Sequence, residues 1–204
     1  MYRLIQNCIP SHTVEYLQQY TLEVRNKVNG VLGQKKNVGS GTYWKGLDMA
    51  SSFPLASPQE NELLFKIYTS MTLYRIVLEH MQHPYLFNDQ IVVKLPGEDL
   101  EFLPHYDNQY GPYPNDKDLL TINCMLVLDD FTKENGGIRV LEKEWIDLYP
   151  KKGDILIIDG NTFHASGQNK SDSPRRAYLC VYSNKPIGKD FQQGFYYQAF
   201  SDYL

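Results

Sequence analysis

His105 and Asp107 stand two positions apart, just after the extended-looking run Phe102-Leu103-Pro104. In a strand, side chains at i and i+2 point to the same face. One short strand end can therefore offer an imidazole nitrogen and a carboxylate oxygen to a single metal ion. A third ligand has to come from elsewhere, and His164, within Thr162-Phe163-His164-Ala165-Ser166, sits in a second strand-like segment. Two histidines and one carboxylate cover one side of a metal and leave the other open, which is the donor set of non-haem Fe(II) oxygenases. The triplet alone also suits a half-buried histidine satisfied by its neighbouring carboxylate. The same three side chains would serve a structural metal site in a jelly-roll binding protein, or a hydrolytic zinc site on a cupin-like barrel.

The elements that must carry these residues are legible around them. Ser11 follows Pro10 as an N-cap, and Val14, Leu17, Tyr20, Val24 and Val28 recur every three to four residues, predicting a helix that Gly30 and Gly33 end. Residues 34–54 read as an irregular loop holding Tyr43-Trp44, a surface loop or a lid. Ser57-Pro58-Gln59-Glu60 has the form of a capping box with proline at the first helical position. It predicts one helix running to about Met81, ended by His83-Pro84. His80 and His83 have metal-binding spacing but no accompanying carboxylate, and read as polar residues at a helix end.

From Asn88 onward the pattern becomes short strands separated by turns. Strands are predicted at 90–95, 101–106, 119–128, 136–141, 155–158 and 176–183, and a last one at 194–200. Asp159-Gly160-Asn161 reads as a tight hairpin turn into the strand bearing His164, and 108–118 as a loop with lid potential. Asn88, Gln90 and Lys94 share a strand face that either reaches the cavity or, the preferred reading, is solvated. Helices followed by many strands predict an α+β, mainly β chain. Its β part would be a sandwich or jelly roll, with N-terminal helices packed on one sheet. A single domain over 1–204 is expected, with 1–87 mainly helical and 88–204 the β core.

With 204 residues the chain is long enough to bury a substantial core. A net charge of −4 argues against a broad nucleic-acid surface. Cys8, Cys124 and Cys180 are odd in number and widely spaced, with no CxxC; Cys124 and Cys180 lie in apolar strand-like runs and read as buried thiols, and a reducing, cytoplasmic setting is expected. No signal-peptide pattern and no membrane-length apolar run is present.

Three further segments carry a family resemblance. Phe163-His164-Ala165-Ser166-Gly167-Gln168-Asn169-Lys170-Ser171, followed by Pro174-Arg175-Arg176, resembles the phytanoyl-CoA dioxygenase family. The stretch from Asp129 to Val140, with Asn135-Gly136-Gly137, resembles that family's Asn-Gly turn and following strand, and Lys152-Gly153-Asp154 its Pro-Gly-Asp turn. The resemblance implies an Fe(II)- and 2-oxoglutarate-dependent oxygenase on a double-stranded β-helix (jelly roll, cupin-like) over 88–204 that uses O2, hydroxylates a small molecule and is helped in vitro by ascorbate. It implies His105, Asp107 and His164 as iron ligands. It places Arg175 where an arginine binds the distal carboxylate of 2-oxoglutarate, a pairing that a fixed guanidinium fork suits. Arg176 should point the other way. Ser166, on the same face as His164, is expected to hydrogen-bond the cosubstrate, and Tyr106, Tyr110 and Tyr113 to line a substrate mouth. Glu142-Lys143-Glu144-Trp145 departs from the family's Pro-Gly-Ser-His-like segment, and no clustered Lys/Arg pocket for a CoA group is visible.

Overall fold

A computed structural model describes residues 1–29, 37–38, 41–44, 49–52, 62–97, 101–110 and 117–185. Twelve strands run β1 (Tyr2–Ile5), β2 (Asn37–Val38), β3 (Gly41–Trp44), β4 (Met49–Ser52), β5 (Tyr85–Lys94), β6 (Phe102–His105), β7 (Thr121–Val127), β8 (Ile138–Leu141), β9 (Trp145–Leu148), β10 (Ile155–Asp159), β11 (His164–Ser166) and β12 (Arg175–Ser183). The helices are α1 (Ser11–Asn29), α2 (Glu62–Tyr68) and α3 (Met71–Leu78), and a 3-10 turn spans Asp107–Tyr110.

The strands form an eight-stranded sheet ordered β1-β10-β7-β12-β5-β4-β3-β2 and a four-stranded sheet ordered β6-β11-β8-β9. From β5 onward the chain passes back and forth between the sheets, and all recorded pairings are antiparallel. This winding is the jelly roll the strand pattern predicts and the double-stranded β-helix the family resemblance implies, open rather than closed into a barrel. It also corrects the hairpin expected at Asp159-Gly160-Asn161. That turn carries the chain from β10 in the large sheet to β11 in the small one, and the two strands do not pair.

Strand alternation divides the core in two. On one face of the large sheet, Ile122, Cys124 and Leu126 of β7, Ile155 and Ile157 of β10, and Tyr178, Cys180 and Tyr182 of β12 pack with Val14 and Leu17 of α1 and Leu73 and Val77 of α3. On the other face, Val92, Met125, Val127, Leu156, Ile158, Ala177 and Leu179 pack with Phe131 and Ile138 between the sheets. Each fully buried aliphatic side chain stabilises the fold by about 1.5–3 kcal/mol. Cys124 and Cys180 are buried, unpaired thiols, directly opposite each other on adjacent strands.

Two local expectations give way. The single long helix is broken at Thr69-Ser70, because Ser70 is an N-cap: its side chain accepts from the Leu73 amide at 3.4 Å and restarts the helix as α3. The proposed cap at 57–60 lies outside the described residues, as does the strand expected at 194–200. The segment read as an irregular loop contains β2, β3 and β4, which extend the large sheet beyond β5. Strands β1 and β9 complete the sheet edges; their lengths of four residues give little periodicity to read.

Candidate metal centre

His105 ends β6 and His164 begins β11, and the two residues are directly paired across the small sheet. Their rings lie 4.3 Å apart between centroids. Contrary to the i, i+2 argument, Asp107 is not on the strand. It opens the 3-10 turn that follows β6, and this turn swings its carboxylate back toward both rings. Asp107 Oδ1 is 3.6 Å from His105 Nε2 and 3.6 Å from His164 Nε2. One donor atom from each residue lies within 4.8 Å of the others, and this is the grouping of three such side chains found among the described residues.

The tautomers are set by the backbone. His105 Nδ1 lies 2.7 Å from the Leu103 carbonyl, and His164 Nδ1 lies 2.9 Å from the Thr162 carbonyl. A carbonyl only accepts, so each Nδ1 carries a proton, and each Nε2 faces Asp107 Oδ1 at the common centre. Backbone carbonyls fix metal-binding histidines in this way. Burial pulls the His105 pKa down, but the bonds to the Asp107 carboxylate and the Leu103 carbonyl outweigh it and leave it raised. Burial would raise Asp107, yet the His105 bond and the charges of both imidazoles hold it below the usual carboxylate range. Asn123 on β7 donates from Nδ2 to Asp107 Oδ2 at 3.4 Å, leaving Oδ1 for the centre. Neither Asn123 nor Asn108, which follows Asp107, stands out in the sequence: an asparagine inside an apolar strand or a loop has no spacing signature.

Deeper between the sheets lies a second group. Arg175 and Lys94 occupy directly opposed positions on β12 and β5, with 2% and 0% exposure. Arg175 NH1 donates to the Gly136 carbonyl at 2.6 Å, its guanidinium sits 4.3 Å from the Phe131 ring centre, and its Nε is buried without a partner. Burial pushes this guanidinium down to about 10, so it remains charged near neutrality. Gly136, at φ +73°, reaches this position because a side chain there would run into the carbonyls of Gly167 and Gln168. Lys94 is not on a solvated face. Its Nζ donates to Ser166 Oγ at 2.8 Å and to the Ser166 carbonyl at 3.3 Å, and it lies 4.9 Å from the centre of the Phe102 ring. Arg176 points the other way, as expected, with Nε and NH2 each donating to Asp129 at 2.7 Å.

The tyrosines are less central. Tyr106 is 43% exposed and packs on Phe163 at 4.7 Å, with Trp145 5.8 Å beyond. Tyr106, Leu141 and Phe163 line a pocket of about 220 Å3 that includes none of the three converging residues. Tyr110 ends the 3-10 turn, and Tyr113 lies outside the described residues.

The family model described as phytanoyl-CoA dioxygenase (PhyH) matches residues 4–143 and 141–177. The chain is 28% identical over 208 residues to "Dioxygenase andF" of Emericella variicolor, covering 88% of this chain and 72% of that protein. Among solved structures it resembles EctD from S. alaskensis with bound Fe, with a TM-score of 0.70 at 14% identity over 92% of this chain and 75% of that one. It also resembles the epimerase SnoN in complex with Fe3+, alpha ketoglutarate and nogalamycin RO, with a TM-score of 0.64 at 17% identity over 93% of this chain and 83% of that one. At these identities the structural likeness speaks for the fold.

Proposed function

This chain belongs to the phytanoyl-CoA dioxygenase family, and from that premise we propose that it is an Fe(II)- and 2-oxoglutarate-dependent oxygenase that hydroxylates a small organic molecule. The observation that carries the reading is the closeness of two groups on facing sheets: Ser166, two residues after His164 on β11, accepts from Lys94 of β5, which stands opposite Arg175 of β12. Three metal-type donors stand at one end, and two buried cations stand further in. Like charges directly opposed across a sheet are destabilising, and a buried guanidinium with a free N–H is costly. An anion held between the strands would offset both costs. The donor set and the cationic recess together fit a metal-chelating dicarboxylate.

His105, Asp107 and His164 would hold the metal through Nε2, Oδ1 and Nε2. Arg175 would anchor the far carboxylate of 2-oxoglutarate, with Lys94 as the second cation. Ser166 Oγ accepts from Lys94, which leaves its hydroxyl proton to donate to the same carboxylate. When bound, iron and 2-oxoglutarate supply the oxidising chemistry: O2 and the oxoacid give succinate and CO2 as one oxygen atom enters a substrate C–H bond. The protein's part is to orient the reactants and keep bulk water out of the recess. Val92, Val127, Ala177 and Leu179 surround the inner strands with apolar packing that serves the second task. Proton competition at the raised His105 has a defined sign: metal binding weakens as pH falls through its pKa, because the Nε2 lone pair is then protonated.

Purified protein given Fe(II), ascorbate and 2-oxoglutarate is expected to release succinate slowly without substrate and faster with the correct one. His105→Ala is expected to release none. Succinate release that persists in His105→Ala would refute the assignment. Arg175→Ala leaving turnover intact would favour the hydrolytic zinc reading instead.

A further inference from the structure

Asn108, next to Asp107, has every polar group of its side chain engaged. Its backbone N–H donates to the Gly160 carbonyl at 3.1 Å, and its Nδ2 donates to Asn161 Oδ1 at 3.0 Å. Its Oδ1 accepts the Thr121 hydroxyl at 2.6 Å. The Gly160 N–H in turn donates to the Thr121 carbonyl at 3.0 Å. Residue 160 has to be glycine for this packing, because a Cβ there would collide with Thr121 Oγ1 and Asn108 Oδ1.

These bonds join three segments that carry the candidate centre. The 3-10 turn bears Asp107. The β10–β11 turn contains Gly160 and Asn161 and leads to Thr162, whose carbonyl orients His164. On β7, Thr121 and Asn123 are two apart and face the same turn; Thr121 holds Asn108 while Asn123 holds Asp107. Asn108 touches none of the three donor atoms, yet it connects the segment of one to the segment of another.

We propose that Asn108 is a positioning residue that sets the spacing between Asp107 and His164, pre-forming the metal site through its bonds to Thr121, Gly160 and Asn161. The inference rests on the metal-binding reading above and goes beyond it. An ordinary structural bond would change stability alone. A positioning bond changes metal affinity and ligand-field geometry, and supporting residues of this kind typically change metal affinity about 10–100-fold.

The test measures anaerobic Mn(II) binding by EPR, alongside the thermal midpoint of each metal-free protein, for wild type, Asn108→Ala, Thr121→Val and Thr121→Ser. Asn108→Ala and Thr121→Val are expected to weaken Mn(II) binding by about tenfold and to alter the spectrum of the bound ion. Thr121→Ser, which keeps the hydroxyl, is expected to remain within about twofold of wild type on the same scale. If Asn108→Ala does not fold, the Thr121 pair decides. Variants that bind Mn(II) like wild type, with an unchanged spectrum, would overturn the proposal however far their midpoints move. Wild type that binds no Mn(II) would overturn the metal reading, and this inference with it.

Discussion

The two faces of the large sheet are built from the same strands but solve opposite problems. Toward the helices, β12 presents Tyr178, Cys180 and Tyr182 in a dry apolar layer, and the Tyr178 hydroxyl donates to Asp89 at 2.8 Å. Toward the small sheet, the same strand presents Arg175, opposite Lys94, with a buried N–H left over. The contrast is sharpest in two neighbours. Arg176 is held from three directions: its N–H, Nε and NH2 all donate to Asp129, while Gln18 of α1 donates to the same carboxylate at 3.0 Å. Arg175, one residue away, has among the described residues only a carbonyl and an aromatic ring. One face is arranged for stability, and the other keeps polar groups that a core alone would not keep. A polar group left unsatisfied inside a core calls for an explanation, and the proposed cosubstrate supplies one for Arg175 Nε.

The comparison can be broken most severely at the centre on the inner face. His105→Ala is expected to lower 2-oxoglutarate turnover by at least about 10³-fold, measured as succinate formed, with little change in thermal midpoint. Arg175→Met is the next largest. The KM for 2-oxoglutarate should rise about 100-fold with the loss of a charge-assisted carboxylate pair. The metal- and cosubstrate-free protein should be as stable as wild type or more so, by about 1 kcal/mol. The sign follows from linkage. Burial lowers the folded pKa of Arg175 to about 10, so the charged form costs stability at lower pH, and either a bound anion or an apolar side chain relieves that cost. For the same reason 2-oxoglutarate should raise the melting temperature of wild type but not of Arg175→Met.

Asp129→Ala probes the outer face. It frees Arg176 and Gln18 together and should lower stability by about 2–3 kcal/mol in denaturant unfolding, with the KM for 2-oxoglutarate within about twofold of wild type. Tyr178→Phe is the mildest. It should cost about 1 kcal/mol through the lost bond to Asp89 and leave cosubstrate binding unchanged. A large KM effect in either outer-face variant would erase the division between the faces.

Much of this arrangement could be read from the chain, and the failures have physical causes. The β-helix was legible because its strands are short apolar runs punctuated by turns. The opposition of Arg175 and Arg176 followed from two-residue alternation. The convergence of His105, Asp107 and His164 was legible from residue type, although Asp107 reaches the others through a 3-10 turn rather than along a strand. The break between α2 and α3 was missed because the apolar periodicity runs through Thr69-Ser70 while the Ser70 cap interrupts the backbone. Lys94 was misjudged because a lysine on an alternating strand resembles a solvent-facing residue, and only the pairing with β12 turns it inward. The contributions of Asn108, Asn123 and Gly136 depend on contacts 13 or more residues away in the chain, and local sequence does not encode these.

The most direct test is an anaerobic calorimetric titration of the metal-free protein, first with Fe(II) and then with 2-oxoglutarate. The account predicts one Fe(II) bound per chain, followed by one 2-oxoglutarate whose binding requires both the metal and Arg175. A protein that takes up neither, or that binds 2-oxoglutarate equally well with Arg175 replaced by methionine, would contradict it.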